Sequence, residues 1–496
     1  MTETNYIPGR KLAPKKLGRV LILGLGKSGM ATASYCARLI GDRVDHLAIA
    51  AGKRSPSALE FAEEIGAAGA VVEFDHELIE GTYDICIASP GISQFSDFYK
   101  SAQAASGEIM SEVEFAWRES AADSVWVAIT GTNGKTTTTA LCAHILCEAG
   151  MNAAAVGNIG DVVIDTVAAG QTDVYVVEVS SYQLASTINF APQVAVLLNI
   201  TPDHLKWHGS MEEYRRAKLR VFANLATVPD AVAVLDATND LVRETVRAFK
   251  ARPRQERGFD YVPLGTASGL DESMHERCGS DNAAYLDDEG VMCVLFRGET
   301  HRLMPASDLL LKGRHNYANA LAAAVAAIAL GVDDKDLVRG LSGFAPLEHR
   351  IEPCGSVNGV ACFNDSKATN VDATLVAFSS FEPGRLIVLL GGDDKGTSLD
   401  ELVKVARENA RAVVCFGAAG PRFAAAFEDA GAGDMVLRAG KLEEALDCAL
   451  KVAHVGDSVV LSPACASFDE FDSFEHRGRE FKRYVACRMA DQGLKA

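Results

Sequence analysis

The 496-residue sequence lacks the features that mark disulfide-stapled and membrane-spanning proteins. Its 12 cysteines include no C-x-x-C pair and no Cys/His cluster with metal-ligand spacing, which favours reduced thiols in the cytoplasm. The segment before residue 19 is polar and broken by proline, so it does not read as a signal peptide. The longest apolar run, ALAAAVAAIALGV at 320–332, is too short to cross a bilayer and predicts a buried helix.

An excess of positive charge is also absent, since 48 Lys and Arg face 66 Asp and Glu for a net charge of −18. An acidic surface repels nucleic acid and anionic lipid, so we expect neither as a partner. Any anionic ligand must therefore be held by local cations and backbone N–H groups. We expect a cytoplasmic protein that acts as a monomer.

Short strand-like runs alternate with helical patterns along the whole chain, which predicts an α/β protein with mainly parallel sheets. The length suits three domains. We predict an N-terminal tail (1–18), a Rossmann-like domain (19–114), a central P-loop-type ATPase domain (115–346) and a Rossmann-like C-terminal domain (347–496). The polar, hairpin-like segment 251–303 is expected to be a peripheral elaboration, and GLSGFAPLEHR at 340–350 a hinge.

The strongest local signal is VAITGTNGKTTTTALCAHIL at 127–146, which reads as strand, glycine turn and helix. Such a turn surrounds an anion with backbone N–H groups and a helix N-terminus. Lys135 can neutralise phosphate and the Thr136 hydroxyl can bind Mg²⁺. The strict Walker pattern is not met, because Ile129 stands where its first glycine would be.

Metal-competent side chains follow the neighbouring strands. Glu178 lies in or at the end of the apolar run VYVVEVSS, where an unpaired carboxylate would be costly. Asp203 and His204 come just after the run VAVLLNIT. Because ligands collect at strand ends in open α/β sheets, these side chains are candidates for a metal site.

These motifs, together with others along the chain, resemble those of the Mur ligases, a family that builds the peptide stem of bacterial cell-wall precursors. The ordered motifs TGTNGKTTT, GNIG, EVSSYQL, NITPDHLKWHGSMEEYRRAK, GRHNYANALAA, LEHRIE, NDSKATN and GGDDKG carry the resemblance from about residue 19 onward. It implies a domain for a UDP-sugar, a central ATPase and a C-terminal domain for an amino acid. It also implies that a carboxylate is activated as an acyl phosphate, which an amine then attacks.

The resemblance assigns roles residue by residue. It implies that ATP is bound by Gly131, Thr132, Asn133, Gly134, Lys135, Thr136, Thr137, Asn316, Asn319, Arg350, Asp365 and Lys367. Two Mg²⁺ ions, or Mn²⁺ as the alternative, would be held by Thr136, Glu178, His204 and Lys218, the last as a carbamate formed with CO₂. The catalytic residues would be Lys135, Glu178, His204 and Lys218.

The C-terminal stretch SPACASFDEF…FEHRG is most similar to the D-glutamate-adding branch of the family. The resemblance then implies UDP-N-acetylmuramoyl-L-alanine as the acceptor and D-glutamate contacts at Thr369, Lys395, Ser467 and Phe474. Other branches remain alternatives. The diamino-acid branch usually has an Asp-Asn-Pro-Arg signature that is absent here, the L-alanine branch has histidine in place of Asn133, and the last segment argues against folate polyglutamylation.

GLGKSG at 24–29 satisfies the G-x-G-x-x-G pattern of dinucleotide enzymes, so an oxidoreductase is the alternative from another class. That function needs an acidic residue at the end of the second strand, and Asp45 precedes the strand. The family uses this turn for the UDP-sugar, through Lys27, Ser28, Gly29, Ser89, Pro90, Gly91 and Asn158. Typical members have an acidic residue near position 50 for uracil, where this chain has Ala-Ala-Gly-Lys; Lys53 or Arg54 acting on phosphate, or backbone groups, are the alternatives.

A third hypothesis is a non-catalytic scaffold descended from a ligase. It predicts the loss of a charge-handling residue, yet Lys135, Glu178, His204, Lys218, Asp365 and Lys367 are all present.

Overall fold

The structure, a computed structural model, describes residues 10–75, 78–267, 271–311, 313–378, 380–394 and 396–493. They form three sheets in two compact units. The first unit runs to Leu309 and includes Asn316–Phe344, and the second contains Leu310–His315 and the chain from Ala345 onward. The division at 344/345 falls within the predicted hinge, whereas the predicted domain boundary at 114/115 lies inside the first unit and remains a prediction.

The first sheet has five strands, all parallel, in the order β3-β2-β1-β4-β5. The strands are β1 (Gly18–Leu23), β2 (Val44–Ala50), β3 (Val71–Glu73), β4 (Tyr83–Ala88) and β5 (Ser106–Ser111). The helices are α1 (Lys27–Ala37), α2 (Pro56–Ala67), α3 (Asp97–Ala105) and α4 (Glu112–Glu119). Asp45 lies within β2 rather than before it, but at the end away from the ligand-binding edge.

The second sheet has nine strands in the order β14-β13-β12-β11-β10-β9-β6-β8-β7. Its strands are β6 (Val125–Thr130), β7 (Ala153–Gly157), β8 (Val174–Glu178), β9 (Val194–Leu197), β10 (Val232–Asp236), β11 (Asp260–Leu264), β12 (Ala283–Leu286), β13 (Val291–Phe296) and β14 (Glu299–Pro305). β8 and β9 are buried along their whole length, as their continuous apolar runs predict. The strand β6 lies between β9 and β8, so the carboxyl ends of these three strands share one edge.

The helices of this part range from four to 16 residues. They are α5 (Lys135–Glu148), α6 (Val163–Ala169), α7 (Ser181–Ala185), α8 (Leu205–His208), α9 (Met211–Leu219), α10 (Asp240–Lys250), α11 (Arg254–Arg257), α12 (Met274–Cys278), α13 (Arg314–Ala329) and α14 (Asp334–Gly343). Residues 319–328 of α13 are buried, which confirms the helix predicted from the longest apolar run. Within the described residues, no helix is both long and apolar enough to span a membrane.

Residues 251–303 are more than a surface hairpin. The predicted hairpin is present as β12 and β13, which pair antiparallel. However, β11 is a parallel strand next to β10, and β14 adds a further antiparallel edge strand. The segment therefore extends the central sheet, and the polar residues between its short strands hide this from the sequence pattern.

The third sheet has six strands in the order β15-β16-β20-β17-β18-β19, parallel except for the β15–β16 pair. The strands are β15 (Glu352–Val357), β16 (Val360–Asn364), β17 (Leu386–Gly391), β18 (Ala410–Phe416), β19 (Val436–Arg438) and β20 (Ser458–Leu461). The helices are α15 (Val371–Phe378), α16 (Asp400–Asn409), α17 (Gly420–Asp429), α18 (Leu442–Val452) and α19 (Phe474–Gly493). The sheet has an apolar cluster on each face, as in a doubly wound domain.

The described part of the N-terminal tail is anchored by one buried arginine. Arg10 is 5% exposed, and its guanidinium donates to Trp117 O at 2.6 Å and Ser124 O at 3.1 Å. It also lies 5.5 Å from the centroid of the Trp117 ring. These partners belong to α4 and to the segment before β6, so Arg10 fastens the connection between the first two sheets.

We expect Arg10→Met to destabilise the first unit without changing the site, because the carbonyls that it caps would lose charged donors. The loss should be about 2 kcal/mol, or a fall in Tm of ~5 °C. Thermal unfolding followed by circular dichroism measures it. Lys15→Met, which removes an exposed charge from the same segment, is the control; equal stability of the two variants would contradict the anchoring role.

Candidate active site

The glycine turn predicted to bind phosphate, called the phosphate turn below, consists of residues 131–134 between the end of β6 and the start of α5. Gly134 has φ +83°, and a Cβ there would lie 2.4 Å from Asn319 Oδ1, so glycine is required. Lys135 starts the helix and donates to Thr132 O at 2.8 Å. The predicted residues of the turn and Asn319 of α13 are thus adjacent in the structure.

Asn199, which sequence reasoning did not select, braces this turn. Its Oδ1 accepts from Asn133 N at 2.8 Å, and its Nδ2 donates to Asn133 O at 3.1 Å. Thr132 N in turn donates to Asn199 O at 2.9 Å. The signal was present in the motif that begins at NIT, but an asparagine after a strand is most often a turn former.

Glu178 ends β8 and is 1% exposed. Its Oε1 accepts from Asn158 Nδ2 at 2.7 Å. Among the described residues its other oxygen, Oε2, is buried and has no hydrogen-bond partner. A buried carboxylate oxygen without a donor is destabilising, and a cation would remove that cost, so the residue fits a divalent metal ion.

Lys218 of α9 is also inside the protein, at 2% exposed. Its Nζ donates to Gly131 O at 2.6 Å and lies 4.8 Å from the centroid of the Tyr214 ring. Burial lowers the pKa of this amine well below its usual value, and the nearby charge of Lys135 lowers it further. The predicted carbamylation site is therefore a buried amine that touches the phosphate turn.

His204 precedes α8 and has the unusual backbone angle φ +54°. Its ring centroid lies 4.8 Å from that of Tyr182 and 6.5 Å from that of Tyr214. Its backbone N–H donates to Asp203 Oδ1 at 2.8 Å. Non-glycine residues in this region of backbone space are uncommon and cluster at functional sites.

Glu178 and His204 do not belong to a compact group of three or more His, Cys, Asp or Glu ligands among the described residues. Among the described residues, the one group of three potential ligands with mutually close atoms is Glu348, His349 and Glu352 in the second unit. Lys482 Nζ already pairs with Glu352 at 2.9 Å and with Glu348 at 2.5 Å, so this group is an ion-pair network. An open site is what Mg²⁺ prefers, because it keeps waters and binds substrate phosphates.

The loops predicted to hold the UDP-sugar meet at the carboxyl ends of β1 and β4. Ser89 N donates to Leu23 O at 2.9 Å, and Ser89 Oγ donates to Gly24 O at 3.2 Å. A Cβ on Gly29 would lie 2.0 Å from Gly24 O, so the helix start can approach only as glycine. Lys27 Nζ donates to Gly160 O at 2.9 Å, which brings the GNIG loop with Asn158 to this turn.

No acidic residue ends β2, where typical family members have one for uracil. The adjacent loop, which follows β3, carries the acidic residue Asp75. Asp75 N donates to Gly52 O at 3.1 Å, and its carboxylate pairs with Arg54 at 3.2 Å. An acidic side chain from the chain after β3 therefore lies beside the loop that follows β2.

In the second unit, Asp365 follows β16 and is fully buried. Its Oδ2 accepts from Ser462 Oγ at 2.8 Å, and Ile351 N donates to Oδ1 at 3.3 Å. Burial raises its pKa to about 7, against the opposing effects of the Ser462 hydrogen bond and the Arg350 charge. This carboxylate and Arg350, both predicted ATP contacts, thus act on one another.

The three stretches predicted to bind D-glutamate meet at the ends of β16, β17 and β20. Asp393 and Ala466 exchange backbone hydrogen bonds at 2.9 and 3.0 Å. Lys367 Nζ lies 3.8 Å from the centroid of the Phe474 ring, and Thr369 N donates to Lys367 O at 2.8 Å. Ser467 is 2% exposed. Lys395 lies outside the described residues.

Arg477 holds these stretches together and was missed from the sequence. It is 1% exposed and donates to Ser366 Oγ at 2.9 Å, Ser366 O at 2.8 Å, Cys465 O at 3.0 Å and Ala466 O at 2.9 Å. The motif FEHRG contained it, but arginine in a polar stretch is usually exposed.

Known proteins resemble the chain over most of its length. Family models of the Mur ligase middle domain and of the Mur ligase glutamate ligase domain match residues 129–327 and 349–465. A UDP-N-acetylmuramoylalanine–D-glutamate ligase of Koribacter versatilis is 38% identical, over 96% of this chain and 99% of the relative. One from Thermoanaerobacter pseudethanolicus is 36% identical, over 94% and 98%.

Solved structures share the fold at low sequence identity. MurF of Acinetobacter baumannii has a TM-score of 0.57 at 18% identity and covers 93% of both chains. UDP-N-acetylmuramate–alanine ligase MurC of Thermotoga maritima has a TM-score of 0.53 at 18% identity and covers 95% of this chain and 99% of its own.

We expect Glu178→Gln to weaken divalent-cation binding by at least ~100-fold. The Tm of the metal-free protein should stay equal or rise, because a buried unpaired charge is removed. Calorimetric titration with Mn²⁺ and a metal-free thermal scan measure the two effects. Glu212→Gln, at an exposed position of α9, is the matched control. A lower Tm together with intact Mn²⁺ binding would mean that Glu178 is a structural carboxylate.

Proposed function

The chain belongs to the Mur ligase family, and we propose that it joins D-glutamate to UDP-N-acetylmuramoyl-L-alanine at the expense of ATP. Several relatives that carry this activity in their names are 33–38% identical over nearly the whole chain. The observation that carries the chemistry is the buried pair at the phosphate turn. One oxygen of Glu178 has no hydrogen-bond partner among the described residues, and Lys218 Nζ donates to Gly131 O.

The phosphate turn is proposed to bind the β- and γ-phosphates of ATP. Its glycine-restricted backbone, its lysine and the N-terminus of α5 suit a polyanion. Asn319 lies against the turn, and its Nδ2 donates to Asn316 Oδ1 at 3.2 Å. The start of α13 therefore closes one side of the turn. From the second unit, Arg350, Asp365 and Lys367 are proposed as further ATP contacts.

Thr136, Glu178, His204 and carbamylated Lys218 are proposed to hold two Mg²⁺ ions, for which Mn²⁺ would substitute. When bound, these ions spread the charge of the transferring phosphoryl group. In this chain Asn158 orients Glu178 through its Oε1, which leaves Oε2 for the metal.

Carbamylation of Lys218 needs a neutral amine, and burial favours that form. The lysine nitrogen would bond to the carbon of CO₂ and release one proton, which yields a carboxylate on a long arm. The carbamate would bring negative charge to a wall of the site where the described structure has the carbonyl of Gly131 and the ring of Tyr214.

The reaction would proceed in two steps. The substrate carboxylate attacks the γ-phosphorus, the bond to the β–γ bridging oxygen breaks, and ADP leaves. The amine of D-glutamate then attacks the carbonyl carbon of the acyl phosphate, loses a proton, and phosphate leaves as the amide forms. Lys135, whose ammonium group lies at the turn, is proposed to stabilise the charge on the transferring group.

The amino acid is proposed to bind at the strand ends of the second unit. A dicarboxylate needs a cation and hydroxyl donors for the carboxyl group that does not react. Thr369, Lys395 and Ser467 offer these groups, and Phe474 covers Lys367. The UDP-sugar is proposed to bind at the ends of β1 and β4 through Lys27, Ser28, Gly29 and the Ser89–Gly91 turn. We propose that the reaction takes place in the cytoplasm.

The identity of the incoming amino acid is tested by measuring phosphate release from ATP in the presence of UDP-N-acetylmuramoyl-L-alanine. D-glutamate, L-glutamate, L-alanine, L-lysine and meso-diaminopimelate would be offered in parallel. We expect release with D-glutamate alone. Release with another amino acid would keep the ligase chemistry and reject the amino-acid assignment, whereas release with none would reject the sugar substrate.

We expect Lys218→Ala to lower kcat by about 100-fold or more, because the metal site loses a carboxylate. Acetate, which can occupy the vacated space, should restore part of the activity. Phosphate release with and without acetate measures this. Lys335→Ala, at an exposed position of α14, should behave as wild type in both conditions. Full activity of Lys218→Ala, or loss without any rescue, would exclude the carbamate.

A further inference from the structure

The short helix α8 follows β9 of the second sheet and contacts a loop of the first sheet. Ser93 Oγ, in the chain just after the Ser89–Gly91 turn, donates to Trp207 O at 3.0 Å. In return, Trp207 Nε1 donates to Gly91 O at 3.4 Å. One tryptophan of α8 therefore contacts a proposed substrate loop of the first sheet through both its main chain and its side chain.

The same tryptophan packs on the ring that covers His204. The ring centroids of Trp207 and Tyr182 are 4.5 Å apart, and those of Tyr182 and His204 are 4.8 Å apart. The next residue, His208, is buried, and its Nε2 lies 2.9 Å from Ser181 Oγ of α7. Contacts on two sides thus hold α8, one to α7 and one to the substrate loop.

These contacts matter because α8 has little stability of its own. It has four residues, and isolated helices of that length do not persist in water. It starts from His204 in a left-handed backbone conformation, which non-glycine residues keep only where their surroundings hold them. The position of the His204 ring therefore depends on what α8 touches.

A second contact of the same kind reaches Glu178, another of the proposed metal ligands. Lys27 Nζ of the glycine turn donates to Gly160 O at 2.9 Å. The same loop carries Asn158, which donates to Glu178 Oε1 at 2.7 Å. Each of the two substrate loops of the first sheet is thus joined to a loop that positions a metal ligand.

We propose that Trp207 is a positioning residue that couples the position of the substrate loop to that of the His204 ring. As a result, UDP-N-acetylmuramoyl-L-alanine and the divalent cation bind cooperatively. This inference rests on the proposed function of both loops. By linkage, the sugar nucleotide must tighten the metal site by the same factor as the metal tightens the sugar-nucleotide site. Trp207 itself need not touch either ligand.

The test is the affinity of the full-length protein for the Mn²⁺ complex of a non-hydrolysable ATP analogue, by calorimetry, with and without saturating UDP-N-acetylmuramoyl-L-alanine. We expect the sugar nucleotide to tighten binding by about fivefold in the wild type. Trp207→Phe combined with Ser93→Ala keeps an aromatic ring but removes both hydrogen bonds. It should abolish the enhancement while each ligand alone binds within ~2-fold of wild type.

Leu205→Ala is the matched control, since it shortens an exposed side chain of the same helix and should keep the enhancement. A double variant that keeps the enhancement would overturn the inference. So would a lower Tm with equal weakening of every ligand, which would show a purely structural role. A wild type that binds the metal–nucleotide complex but not the sugar nucleotide would instead reject the proposed substrate, and this inference with it.

Discussion

The described site depends on one electrostatic constraint, a carboxylate oxygen of Glu178 that is buried without a hydrogen-bond partner. A parallel strand buried on both faces places this group at the sheet edge, where water cannot solvate it. The adjacent strand β6 ends in the phosphate turn, and Lys218 reaches the same turn from α9. The buried carboxylate and the buried amine are therefore both concentrated at the turn that we propose to bind a metal–nucleotide complex.

Such an arrangement costs stability in the ligand-free protein, and the surrounding structure offsets that cost. Asn158 satisfies one oxygen of Glu178, and Asn199 satisfies the backbone of the phosphate turn on both its donor and acceptor sides. Arg477 does the same for the loops of the second unit, with four hydrogen bonds from one buried guanidinium. These residues position the groups that act, and substitution would disturb several of them together.

The sequence predicted the strands whose apolar runs are continuous, such as β8 and β9, and it predicted the phosphate turn. It did not predict β15, which contains proline and glycine, or β19, which has three residues. The contribution of residues 251–303 to the central sheet was underestimated. β11 joins that sheet by pairing with β10 through the backbone, which the side-chain pattern of a short segment does not reveal. Charged residues near strand ends were visible as candidates, but the buried Arg477 was not, since its partners, the Ser366 hydroxyl and three backbone carbonyls, are brought to it only by the fold.

The contacts between the first two sheets explain why both sheets belong to one compact unit. Arg10 fastens the connecting segment, while Trp207 and Lys27 join the edges that we propose to bind ligands. A contact at the connection alone would leave the two edges free to separate. Contacts at the edges instead make the distance between the proposed sugar-nucleotide loops and the proposed metal ligands a property of the folded unit. Since phosphoryl transfer requires the carboxylate and the γ-phosphate in line, that distance bears directly on the rate.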